Sequence, residues 1–188
     1  MGEVDEHFGD KYNMVFIKSA CKDKDEYLTR PELGRVLDDE STQKMMQAAE
    51  KKPQVLIIVA DGLSSKAMEA NIPDLYPALL QGLQSMGLRV GTPLLAKYAR
   101  VGLMDDIGEK VKPEVCLILI GERPGLGTAE SMSAYIVYNP RKGLIESERT
   151  VISNIHKGGT PAVEAGAHIA TLIKKILDAK ASGTNLKI

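Results

Sequence analysis

Glu122 and Arg123 set a carboxylate beside a guanidinium in the run Gly121-Glu122-Arg123-Pro124-Gly125, directly after six apolar residues, Val115–Ile120. Two chemistries suit the pair. It is either an ion pair that fixes its own turn, or a carboxylate offered as hydrogen-bond acceptor to the amide groups of a ligand. A second group of this kind is Asp61-Gly62-Leu63-Ser64-Ser65, which follows the apolar run Val55–Ala60. There a phosphate could rest on a helix N-terminus, but the chain has no G-x-G-x-x-G and no G-x-x-x-x-G-K-[ST], so a turn with Ser64 as helix cap is the simpler reading. The third group, Arg149 to Gly159 (RTVISNIHKGG), alternates apolar with short polar residues and ends in two glycines. It suits an uncharged, amide-rich ligand, or is an ordinary strand-to-helix connection.

Other chemistries find little support. There is no G-x-S-x-G, and the three histidines (His7, His156 and His168) lack metal-ligand spacing. Asp5-Glu6-His7-Phe8-Gly9 is superficially similar to the D-x-H-x-x-G motif of histidine-ligated cobalamin proteins. Its glycine comes one place early and Asp10 stands where it belongs, so the reading is rejected. Cys21 and Cys116 are too few for a disulfide framework and point to a reducing, cytoplasmic setting.

The elements that must position these groups follow from periodicity. Val55–Ala60 and Val115–Ile120 read as strands buried on both faces, each stopped by a carboxylate or glycine turn. Val15–Ile17, Val90–Tyr98 and Tyr135–Tyr138 are further strand candidates. Helices are expected over Arg30–Leu37 with Thr29 as cap, after Ser41 as cap, from Ser64 to Met86 with Pro73 and Pro77 breaking or kinking it, and from Val101 to Val111. The last, Pro161–Ala181, has Ala165, Ile169, Leu172, Ile173, Ile176 and Leu177 on one face. Strands alternating with helices predict an α/β fold: a Rossmann-like, largely parallel sheet flanked by helices. In such sheets ligands sit at the carboxyl ends of the strands, where both Asp61 and Glu122 fall. Residues 1–11 are expected to form a mobile N-terminal extension and residues 12–188 the α/β domain.

With 188 residues, 44% of them hydrophobic, the chain can bury one core. A formal charge of −1 leaves no electrostatic footprint for nucleic acid or anionic membrane, and no apolar stretch nears the ~20 residues that span a bilayer. The acidic start, MGEVDEHFGDKY, lacks the order of a signal peptide.

Taken together, YLTRPELGRVL (27–37), VADGLSS (59–65), RVGLMDDIGE (100–109), GERPGLG (121–127), ESMSAYIVY (130–138) and RTVISNIHKGGTP (149–161) resemble the small (light) subunit of ethanolamine ammonia-lyase. They fall in the family's order. The resemblance implies a subunit of a carbon–nitrogen lyase that uses adenosylcobalamin in ethanolamine catabolism, inside a bacterial microcompartment. A large (heavy) barrel subunit would be its partner and would bind ethanolamine, carrying the main catalytic residues. Radical chemistry of the cofactor would yield acetaldehyde and ammonia, and this chain would complete the cobalamin site with no catalytic residue of its own. The family's corrin contacts fall on Val101, Glu122 and Val151. Arg123 is a further candidate, with holding Glu122 as its alternative role. Where the family usually has Cys, Val151 offers only an apolar or backbone contact. The family's small subunit usually carries a segment ahead of the part seen here, and Met1–Lys11 does not resemble it. Two other functions remain open: a non-catalytic assembly or targeting module of the same complex, and a stand-alone α/β nucleotide-binding enzyme.

Overall fold

A computed structural model describes residues 4–123 and 128–187. In chain order the elements are β1 (Val15–Lys18), α1 (Lys24–Thr29), a 3-10 turn (Pro31–Arg35), α2 (Asp39–Ala48), β2 (Val55–Ala60), α3 (Ser65–Ser85), β3 (Leu94–Lys97), α4 (Leu103–Val111), β4 (Val115–Gly121), β5 (Met132–Tyr138), β6 (Thr150–Ile155) and α5 (Ala162–Ala179). Every residue of β2 and β4 is buried, as continuous apolar runs require.

The six strands form one sheet in the order β1-β3-β2-β4-β5-β6. The pairs β1/β3, β3/β2 and β2/β4 are parallel, whereas β4/β5 and β5/β6 are antiparallel. The sheet is therefore mixed, which corrects the expectation of a largely parallel, Rossmann-like arrangement. Connection length explains the difference. Only residues 122–131 lie between β4 and β5, fewer than the dozen or so that a parallel crossover needs.

Register places alternate residues on opposite faces. Ile57, Val59, Leu117, Leu119, Ala134 and Ile136 meet α3 and α5, including all six apolar residues named for the last helix. Leu56, Ile58, Ile118, Ile120 and Val137 face α2 and α4, through Met45, Leu103, Met104 and Ile107. At the N-terminal end Val4 is buried, and Tyr12 meets Tyr76 of α3 edge-on with ring centroids 5.2 Å apart.

Three local expectations change. Asp38, not Ser41, caps α2 by accepting from the Ser41 amide at 2.7 Å; the Ser41 hydroxyl instead accepts from Lys18 N–H at 2.8 Å. The stretch assigned to one helix after Thr29 is a 3-10 turn, preceded by α1 with Asp23 as its cap. Helix α3 runs unbroken through Pro73 and Pro77. Both prolines are exposed, as is Glu69, so the carbonyls that lose partners, those of Glu69 and Pro73, lie on the solvent side. Among the described residues no helix is long and apolar enough to cross a membrane.

Candidate functional site

The two strand-end turns read separately in the sequence pack against each other. Gly62 adopts φ +54°, and the Leu63 amide donates to the Gly121 carbonyl at 3.1 Å. A Cβ on Gly121 would run into the carbonyl of Ser64 and come within 2.6 Å of that of Asp61. Only glycine permits this approach. Ser64 caps α3 as expected, accepting from Ala67 N–H at 3.3 Å, and its hydroxyl also donates to the Ala129 carbonyl at 2.5 Å. Asn71 of α3 donates to the Glu130 carbonyl at 2.7 Å. The chain returning to β5 is thus fastened to α3; Pro124–Gly127, the rest of the GERPGLG turn, lie outside the described residues.

Asp61 is 5% exposed and accepts from the amides of Tyr98 (2.9 Å) and Ala99 (3.2 Å). Burial pushes its carboxyl up to about 6 against the pull of these amides and that of Gly62. Tyr98 sits at φ +56°, a conformation uncommon outside glycine, and the carboxylate holds that turn. What the turn delivers is Arg100 and Val101. Arg100 lies over the Tyr27 ring at 4.8 Å and donates to the Tyr27 carbonyl at 2.6 Å, while its Nε is buried with no hydrogen-bond partner among the described residues. The Tyr27 hydroxyl donates to the Ala99 carbonyl at 3.2 Å.

Between these parts lies a cleft of about 240 Å³, at the carboxyl ends of β2 and β4. Tyr27, Leu63, Arg100, Val101, Glu122 and Tyr135 line it, with the exposed Arg123 at the rim. Glu122 is held from three sides. Its Oε2 accepts from Ser131 Oγ at 2.5 Å, and its Oε1 accepts from the Ser133 hydroxyl and, at 3.4 Å, from Asn154 N–H. Burial pushes this carboxyl up, but these bonds, with a smaller push from His156, outweigh it and hold Glu122 below the usual carboxylate range. Among the described residues no ion pair joins Arg123 to Glu122; Ser131 and Ser133 hold the carboxylate instead.

Val151 lies 48% exposed on β6, directly across from Tyr135 of β5. The structure therefore gathers Val101, Glu122 and Arg123 around one cleft and sets Val151 one strand away, beside a residue that lines it. Ser131, Ser133, Tyr27, Arg100 and Tyr135 were missed by sequence reading. For three of them a signal exists: Ser131, Ser133 and Tyr135 recur every second residue, the spacing of one strand face. Near the end of β6 Asn154 adopts φ +62°, and just beyond it the His156 ring accepts from Gly158 N–H at 3.0 Å. Both cysteines are buried, and burial pushes both thiols up, away from the reactive thiolate form.

The described residues form an α/β scaffold that presents one carboxylate, Glu122, at a cleft lined also by Tyr27, Leu63, Val101 and Tyr135. The family model "Ethanolamine ammonia-lyase light chain (EutC)" matches residues 2–187, and the chain belongs to that family. It is 58% identical over 188 residues to the ethanolamine ammonia-lyase small subunit of Fusobacterium nucleatum, covering 100% of this chain and 64% of that protein. The small subunit of Clostridioides difficile is 56% identical over 184 residues, and that of Listeria monocytogenes 51% over 184; each match covers 98% of this chain and 63% of the relative. The chain thus spans a little under two thirds of the length of these relatives.

Proposed function

We propose that this chain acts as the small subunit of an adenosylcobalamin-dependent ethanolamine ammonia-lyase, a carbon–nitrogen lyase, and forms one wall of a cofactor site that a large subunit completes. One observation carries the reading. Val101, from the approach to α4, and Glu122, from the end of β4, line a single cleft with Tyr135, whose strand partner is Val151. Val101 and Glu122, far apart in sequence, meet at one cleft, and Val151 stands one strand away from it.

The residues fit such a cofactor as an edge contact. A cleft of about 240 Å³ falls below the ~300 Å³ at the small end of sites that enclose a drug-sized ligand, so a partner has to supply most of the enclosure. A corrin bears peripheral amides, whose N–H groups donate to an ionised carboxylate such as Glu122. Val101 and Val151 offer apolar surface beside it, and Arg123 stands at the rim. Adenosylcobalamin supplies the radical chemistry that turns ethanolamine into acetaldehyde and ammonia; the protein's share is binding and orientation. On this reading ethanolamine is held mainly by the large subunit, and the assembled enzyme works in the cytoplasm within a bacterial microcompartment.

The test is reconstitution. The chain alone is expected to give no turnover. Mixed with the large subunit, adenosylcobalamin and ethanolamine, it is expected to restore acetaldehyde formation. Turnover by the isolated chain, or a large subunit that binds cobalamin and turns over equally well without it, overturns the proposal; the latter result would leave an assembly module. The stand-alone nucleotide reading is disfavoured by Ser64, which fills the N-terminus of α3 with its own hydroxyl.

A further inference from the structure

Glu122 is built into three elements. Its amide donates to the Ser131 carbonyl at 2.9 Å, and its side chain meets hydroxyls from Ser131 and Ser133 and the amide of Asn154 at the end of β6. Ser131 is 9% and Ser133 2% exposed, and the pairing of Ser133 with Ile120 fixes its place beside the end of β4. A carboxylate has about four acceptor positions. Two on Oε1 are taken, by Ser133 and Asn154, and one on Oε2 by Ser131. Among the described residues the remaining position, on Oε2, has no donor, and Glu122 lines the cleft.

We propose that Ser131 and Ser133 are positioning residues that turn Glu122 toward the cleft as an obligate acceptor, and that this makes the wall selective for an amide over a carboxylic acid on the corrin edge. The inference rests on the cofactor-wall reading above. An amide donates N–H to the free Oε2 position, whereas a ligand carboxylate brings only acceptors and a like charge. A half-buried carboxylate can evade that conflict by taking up a proton and becoming a donor. Here three donors oppose protonation. The ionisable groups around Glu122 are Arg123 on its own loop, Tyr135 on β5, His156 after β6, and Tyr27 and Arg100 across the cleft.

The experiment is a spectrophotometric titration of the two-subunit complex with cobalamin, and with derivatives in which one peripheral amide at a time is hydrolysed to the acid. The wild type is expected to bind at least one mono-acid about tenfold or more weaker than cobalamin. Glu122→Gln, whose amide can donate to a carboxylate, is expected to erase or invert that preference. The Ser131→Ala/Ser133→Ala double variant is expected to bind cobalamin about fivefold or more weaker at neutral pH. It should also lose binding at a higher pH on acidification than the wild type, a shift that a merely structural role would not produce. If Glu122→Ala weakens binding but the serine variant leaves both affinity and acid limb unchanged, the inference fails and the underlying reading stands. If Glu122→Ala itself changes nothing, that reading fails. Should the serine variant not assemble, the mono-acid comparison decides alone, and an amide preference unchanged in Glu122→Gln overturns the inference.

Discussion

Arg149 grips Asp105 with both arms of its guanidinium, at 2.9 and 2.6 Å, and so ties the start of β6 to the first turn of α4. The two elements carry Val151 and, just ahead of α4, Val101, so this pair links the two valines proposed to face the cofactor. Arg149 is 5% exposed. Burial opposes its charge, but the bonds to Asp105 and Glu146 outweigh that and raise its pKa further above the usual guanidinium value.

Removing one partner of a buried pair strands the other charge. Arg149→Ala is therefore expected to destabilise the chain by about 3–5 kcal/mol, measured by denaturant unfolding, with Arg149→Lys costing less. A loss within about 0.5 kcal/mol, as for an ordinary surface position, would show that the two elements are held by other contacts.

Glu122→Ala deletes a cleft carboxylate that three donors hold ionised. Retention of cobalamin by the assembled enzyme should fall roughly tenfold or more, the effect of a charge-assisted hydrogen bond. Equilibrium dialysis checks this, and unchanged retention would reduce Glu122 to a turn residue.

At Gly121 the obstruction is backbone on both sides, the carbonyls of Ser64 and Asp61, and neither can swing away as a side chain would. Gly121→Ala should cost about 1–3 kcal/mol through the forced shift, seen as a lower Tm, and should weaken cobalamin binding because Glu122 moves with the end of β4. A variant as stable as the wild type would mean that the two turns are not in contact.

Asp61 predicts a pH dependence. Its folded pKa of about 6 lies above the ~4 of an unfolded aspartate, so the folded state holds the proton more tightly. Its contribution to stability grows as pH falls from about 6 to about 4, and above 6 it is constant and least favourable. Asp61→Asn cannot take up that proton. The stability of wild type relative to Asp61→Asn should rise by up to about 1 kcal/mol between pH 7 and pH 5, measured by urea unfolding of both proteins. A difference that shrinks over that interval contradicts the assignment.

Much of the fold is legible in the chain because buried strands and a one-sided helix leave local patterns. Val55–Ala60, Val115–Ile120 and the apolar face of α5 are of this kind. The antiparallel end of the sheet was also there to be read, in the short connection from Gly121 to Met132. The site was legible only in pieces. Gly121 reads as a turn residue, but its contact with the carbonyls of Asp61 and Ser64 is tertiary. Arg149 and Asp105 lie 44 residues apart with no shared motif. The partners of Glu122 come from the residue ahead of β5, from β5 and from β6; the serines share an alternating spacing, but nothing local joins them to Glu122 or to Asn154.

The central claim is that the Glu122 end of the sheet lies against the cofactor. A structure of this chain bound to the large subunit and cobalamin tests it most directly. A peripheral amide of the corrin is expected within hydrogen-bond distance of Glu122 Oε2, with Val101 and Val151 against the macrocycle. A macrocycle seated on another face, out of reach of all three, would contradict it.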